Sequence, residues 1–124
     1  MTNSNTDISD ITSTELAKFI AQIIDEKQGS DIIVLPVGDV IAVTEYFVVT
    51  SASNPRLVRA ITDAVLGSVR EVTGRGPLRS EGAREQQWVL IDYGDVVVHI
   101  FNDEMRRFYE IERLYKDVVP TPWA

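Results

Sequence analysis

The chain has 124 residues, 44 % of them hydrophobic, with 12 Lys and Arg against 19 Asp and Glu, a formal net charge of −7 and no cysteine. Such a length fits one domain, and the hydrophobic fraction is too high for a disordered chain at this modest charge. No run approaches the ~20 apolar residues that cross a bilayer, the start at Met1-Thr2-Asn3-Ser4 lacks a basic and apolar leader, and the missing cysteines exclude a disulfide scaffold, a thiol nucleophile and a Cys-built metal site.

Residues 1–10 are polar and read as a frayed tail, with the ordered domain expected over residues 12–117. Thr12-Ser13-Thr14-Glu15 matches a capping box, and Ile11 and Leu16 stand where a hydrophobic staple packs. Leu16, Phe19, Ile20, Ile23 and Ile24 follow at helical spacing, and Gly29 supplies the stop. The apolar, β-branched run Asp31-Ile-Ile-Val-Leu35 reads as a buried strand whose pairing weakens at Pro36. Glu45-Tyr-Phe-Val-Val-Thr-Ser51 is the next strand. The link between the two is too short for a helical crossover, so they are expected to be antiparallel neighbours.

Asn54-Pro55 places an N-cap before a first-turn proline. The helix it opens buries Leu57, Ile61, Ala64, Val65, Ser68 and Val72 and ends at Gly74. A loop, Gly74-Arg-Gly-Pro77, then leads to a short strand around Leu78-Arg-Ser-Glu81. Trp88-Val-Leu-Ile-Asp92, a turn at Tyr93-Gly94 and Asp95-Val-Val-Val-His-Ile-Phe101 form a hairpin, apolar enough on both strands for the sheet to be covered at least partly on its second face. Asp103 caps a last helix running to about Tyr115, with Phe108, Ile111, Leu114 and Tyr115 inward, and residues 118–124, with two prolines, form an extended tail. The order α-β-β-α-(β)-β-β-α predicts a two-layer α/β (α+β) domain, helices on a mixed four- to five-stranded sheet.

The chemistry is sparse. Gly74-x-Gly76 follows a helix and precedes a proline, the wrong context for a phosphate loop, which needs strand, turn, then helix. Gly29-Ser30 resembles the Gly-Ser pair of nucleotidyltransferases, yet no Asp-x-Asp follows to hold two metals. Asp92 and Asp95 flank a hairpin turn and read as turn residues. His99, the single histidine, reads as structural or interfacial, with no nucleophile signposted nearby. No metal and no cofactor is expected, and the acidic balance argues against autonomous nucleic-acid binding. Arg106, Arg107, Arg113 and Lys116 fit contact with RNA phosphate or, equally, a solvated face paired with Glu104, Glu110 and Glu112. Trp88, Tyr93, Phe101, Phe108, Tyr109 and Tyr115 concentrate aromatic side chains in the last third, the composition of a docking surface beside arginines. The residues leave open a phosphate-handling enzyme and a dimeric adaptor beside a binding protein.

Trp88-Val-Leu-Ile-Asp-Tyr-Gly-Asp-Val-Val-Val-His-Ile-Phe101 followed by Arg107-Phe-Tyr-Glu-Ile-Glu-Arg-Leu-Tyr115 resembles the ribosomal silencing factor, or Iojap-like, family. Glu45-Tyr-Phe-Val-Val-Thr-Ser-Ala-Ser53 and Pro77-Leu-Arg-Ser-Glu-Gly82 are similar to two further motifs of that family in the same order. The resemblance implies a nucleotidyltransferase-like fold without catalysis or a small-molecule substrate. It implies a cytoplasmic protein that binds the large ribosomal subunit through ribosomal protein L fourteen, blocks joining of the small subunit and represses translation when nutrients are short. It also implies a homodimer when free. Carried onto this chain, the docking surface comprises Trp88, Asp92, Tyr93, Asp95 and His99 of the hairpin with Arg107 and Tyr109 of the last helix. Trp88 and Tyr109 would anchor, Asp92 and Asp95 would accept from basic groups, and Arg107 would donate to carbonyl, carboxylate or rRNA phosphate. The family usually has Gly at Ala52 and often Trp at Tyr115, which bears on one turn and one packing contact.

Overall fold

Thr12 starts the first helix as the capping box requires. In the computed structural model, which describes residues 11–124, its hydroxyl accepts from the Glu15 N–H at 3.1 Å while the Glu15 carboxylate accepts from the Thr12 N–H at 2.9 Å. The resulting α1 (Ser13–Glu26) buries Leu16, Ile20, Ile23 and Ile24, and Ile11 packs beside them; the expected frayed tail lies outside the described residues. The stop is built differently from expectation. Gln28, not Gly29, takes the left-handed backbone, at φ 68°. Gly29 is needed for space, because a Cβ there would sit 2.4 Å from Ile24 Cγ2 and 2.7 Å from Thr50 Oγ1.

Strands β1 (Ser30–Pro36) and β2 (Tyr46–Ala52) pair antiparallel, with a bulge between Ser30 and Ile33 where Asp31 takes φ 49°. Pairing does not weaken at Pro36, which stands opposite Tyr46, and Val37 N–H donates on to Glu45 O at 2.9 Å. β1 is a sheet edge, where a missing N–H costs no ladder bond. Ala52 is buried opposite Asn102 without a left-handed φ, so the chain needs no glycine there.

Asn54 Oδ1 accepts from Leu57 N–H at 2.8 Å to open α2 (Pro55–Thr73), and Gly74, at φ 76°, closes it. The buried stripe is rotated from the expected one. It runs through Val58, Ile61, Thr62, Val65, Val69 and Thr73, while Leu57, Ala64, Ser68 and Val72 lie half-buried at its margin. Two threonines occupy a core face because their hydroxyls donate back to Val58 O at 2.8 Å and Val69 O at 2.6 Å.

Beyond α2, β3 (Arg79–Glu81), β4 (Trp88–Asp92) and β5 (Val96–Asn102) complete a mixed sheet in the order β1-β2-β5-β4-β3. Only β2 and β5 run parallel. Alternation then assigns the two faces. Val96, Val98 and Ile100 join Val34, Val48, Val89 and Ile91 under α1 and α2, whereas Val97 and Phe101 join Leu35, Phe47 and Val49 on the opposite side.

That second side carries the last helical segment. Asn102 Oδ1, not Asp103, caps the helix by accepting from Met105 N–H at 2.8 Å. The single expected helix is two: α3 (Asp103–Tyr109) breaks at Glu110, at φ 46° and ψ 53°, before the short α4 (Ile111–Leu114). The left-handed residue turns Ile111 and Tyr115 onto the sheet, while two expected core residues point outward, Phe108 of α3 72 % and Leu114 of α4 77 % exposed. Past α4, Thr121 N–H donates to Val34 O at 2.8 Å on the edge strand, and Trp123 packs against the first core. Among the described residues, no helix is long and apolar enough to cross a membrane.

Candidate functional site

Because α3 and α4 are short, the second face of the sheet is only partly roofed. An aromatic series runs across it. The Trp88 ring stacks on Phe101 with centroids 4.9 Å apart and lies 4.7 Å from Tyr109, which meets the exposed Phe108 edge-on at 5.0 Å. Phe47 contacts His99 at 4.6 Å and Tyr115 at 5.4 Å, both edge-on. Tyr115 therefore fills a ring-sized place against the sheet.

His99 is 4 % exposed and sits directly opposite Leu90 in the hairpin ladder. Trp88 Nε1–H donates to its Nδ1 at 3.2 Å. An indole can only donate, so Nδ1 is an acceptor and the neutral ring carries its proton on Nε2. Burial pushes the imidazole pKa down to about 4, consistent with that neutral form. Among the described residues Nε2 has no partner, nor does the buried Thr44 hydroxyl. Both residues line one groove of about 340 Å³, walled by Ile41, Val43, Phe47, Leu90 and Val97. Asp92 and Arg79 stand at its rim, joined by Arg79 Nε–H to Asp92 Oδ2 at 3.2 Å.

Of the seven residues expected to dock, Trp88, His99 and Tyr109 meet on this face and Asp92 borders it. The other Asp92 oxygen accepts from Gly94 N–H at 2.8 Å, so the residue also shapes the turn. Arg107 is exposed on α3. Tyr93 and Asp95 are not brought into this group. Tyr93 is buried in the first core, where burial pushes its phenol pKa up to about 12. Asp95 accepts from Arg75 Nη2 and from Ser13 Oγ, each at 2.8 Å, so both carboxylate oxygens are engaged within the chain. Burial raises the Asp95 pKa, but hydrogen bonds from Arg75 and Ser13 and the Arg75 charge outweigh it and hold the carboxyl below its usual range. Arg75 also donates to Tyr93 O at 2.7 Å, clasping the hairpin turn to the helical layer.

Arg106 follows neither expected course. It is buried, pairs with Glu112 through Nε and Nη2 at 3.1 and 2.9 Å, and reaches Asp31 O at 2.8 Å, which pins α4 back across the break at Glu110. Arg113 and Glu110 make the exposed i, i+3 pair of a solvated face, at 3.1 Å. Arg75, Phe47 and Thr44 had no signal in sequence, since each acts through partners distant in the chain. Among the described residues, no cluster of three or more His, Cys, Asp or Glu side chains is arranged to hold a metal.

Comparison with known proteins agrees with this architecture. A family model described as ribosomal silencing factor during starvation matches residues 10–123. The chain is 33 % identical over 102 residues to the ribosomal silencing factor RsfS of Bacillus subtilis, covering 82 % of this chain and 86 % of that protein. It is 26 % identical over 98 residues to a mouse protein named mitochondrial assembly of ribosomal large subunit protein 1, covering 77 % of this chain and 43 % of that one. A crystal structure of a Chromobacterium violaceum protein, 30 % identical, superposes with a TM-score of 0.82 over 86 % of this chain and 88 % of the other.

Proposed function

The chain belongs to the ribosomal silencing factor family, and on that premise we propose that it regulates translation by binding the large ribosomal subunit through ribosomal protein L fourteen. Bound there, it blocks joining of the small subunit under nutrient limitation. It acts in the cytoplasm, is a homodimer when free, and performs no catalysis. The observation that carries the docking surface is the continuity of the exposed Phe108 and Tyr109 with the half-buried Trp88 on a partly roofed sheet face. Aromatic side chains fixed by stacking lose little entropy on binding and are frequent anchors of protein interfaces. Asp92 and Arg107 border the anchors, while Tyr93 and Asp95 support the surface by holding the hairpin turn. A net charge of −7 favours encounter with a basic ribosomal protein and disfavours surrounding phosphate.

The test is cosedimentation with isolated large subunits, followed by light scattering on addition of small subunits. Wild type should travel with the large subunit and suppress joining, and folded Trp88→Ala should do neither to the same extent. Equal cosedimentation of the two would show that the surface lies elsewhere. Magnesium-dependent turnover of a nucleotide would instead favour a phosphate-handling enzyme.

A further inference from the structure

The aromatic anchors leave one feature of the same face unexplained, the groove beside them. Its walls are apolar, supplied by Ile41, Val43, Phe47, Leu90 and Val97, yet His99 and Thr44 also line it, and their Nε2 and Oγ1 atoms are buried without a partner among the described residues. Orphaned buried groups cost folding free energy unless something satisfies them. The Trp88 indole fixes the ring so that Nε2 carries hydrogen, which leaves a donor in need of an acceptor on a residue that lines the groove. A volume of about 340 Å³ is at the small end of the range for sites that enclose a ligand. Leu90 and Trp88 share one face of β4, so the groove is continuous with the proposed docking surface.

Resting on that docking surface, we infer that the groove between the 37–45 loop and the hairpin is a socket for a loop of the basic protein partner, which inserts one apolar side chain and presents a main-chain carbonyl to the His99 Nε2–H and Thr44 hydroxyl donors. The apolar insert matches the walls. The acceptor matches the two donors, and the overall charge of −7 matches a basic partner. The rings of Phe47 and Trp88 fix the histidine before binding, so its donor needs no reorganisation when the partner arrives.

Such a socket separates stability from binding. Thr44→Val keeps the side-chain shape and deletes the unpartnered hydroxyl, so it should leave the unfolding temperature unchanged or raised. It should weaken binding to isolated large subunits roughly tenfold, because the partner's carbonyl loses a donor. Val43→Trp, at a position 83 % exposed on the groove's wall, should fold normally and occlude the mouth, weakening binding at least as much. Both variants are measured in the full chain beside wild type. Cosedimentation of wild type reads the docking proposal itself, so its failure is distinct from failure of the socket. Wild-type affinity in both folded variants would overturn the socket while leaving the docking surface standing. Weakened self-association without subunits present, at unchanged subunit affinity, would assign the groove to a second copy of this chain and equally overturn it.

Discussion

Trp88 and His99 are joined by a hydrogen bond of 3.2 Å from the indole N–H to the imidazole Nδ1, between residues of adjacent strands on the partly roofed face of the sheet. The bond holds the indole where Phe101 stacks on it and Tyr109 packs at a tilt against it, and settles which histidine nitrogen keeps its proton.

A consequence is a pH dependence of stability. The unfolded chain takes up the histidine proton near pH 6.5, whereas burial delays uptake in the folded chain to about 4. Between those values the unfolded state binds more protons, so stability falls as the solution is acidified, by on the order of 3 kcal/mol across the window. Urea unfolding at pH 7, 5.5 and 4.5 should show this loss in wild type and a flatter profile in His99→Phe. Parallel profiles would place the sensitivity elsewhere.

Asp95 acts in a lower window. Its carboxyl is held below the usual carboxylate range, so its contribution is present above the unfolded value of ~3.9 and disappears as pH falls through the folded one. Asp95→Ala removes the partner of Arg75 and Ser13 and should cost about 1–2 kcal/mol at neutral pH, the lower part of the range for charged hydrogen bonds because the pair is partly exposed. The difference from wild type should shrink as pH falls below the unfolded value and through the lower folded one.

Gly82 carries a steric demand tied to the site. At φ 84° a Cβ would stand 2.0 Å from Trp88 O, so Gly82→Ala must shift the start of β4 and the tryptophan with it. A loss of at least ~2 kcal/mol is expected on unfolding, with weaker large-subunit binding in whatever remains folded. Gly67 is the control. It lies inside α2 with nothing within 4 Å of a Cβ, and Gly67→Ala should stabilise by about 0.5–1 kcal/mol.

Local signals were the legible ones. The capping box at Thr12, the Asn54-Pro55 start, the Gly74 stop and the hairpin could be read because each depends on residues within a few positions. The rotated stripe of α2 was not legible, because Thr62 and Thr73 are acceptable inside only once their hydroxyls return to the backbone. The break after Tyr109 was hidden for a related reason. Glu110 is neither Gly nor Pro, and the clamp of Arg106 on Glu112 and Asp31 that spans the break includes a partner 75 residues away. Of the docking residues, alternation alone separates His99 from Val98. The engagement of Asp95 by Arg75, and the place of Phe47 beneath His99, required the assembled sheet.

The most direct test of the docking face is the affinity of Tyr109→Ala for isolated large ribosomal subunits, measured beside wild type at one salt concentration. Tyr109 is 46 % exposed and packs at a tilt against Trp88, so its truncation should leave the fold intact. As an interface anchor it should cost ~2 kcal/mol or more, a loss of roughly thirtyfold in affinity. A folded Tyr109→Ala protein that binds as tightly as wild type would contradict the assignment of this face.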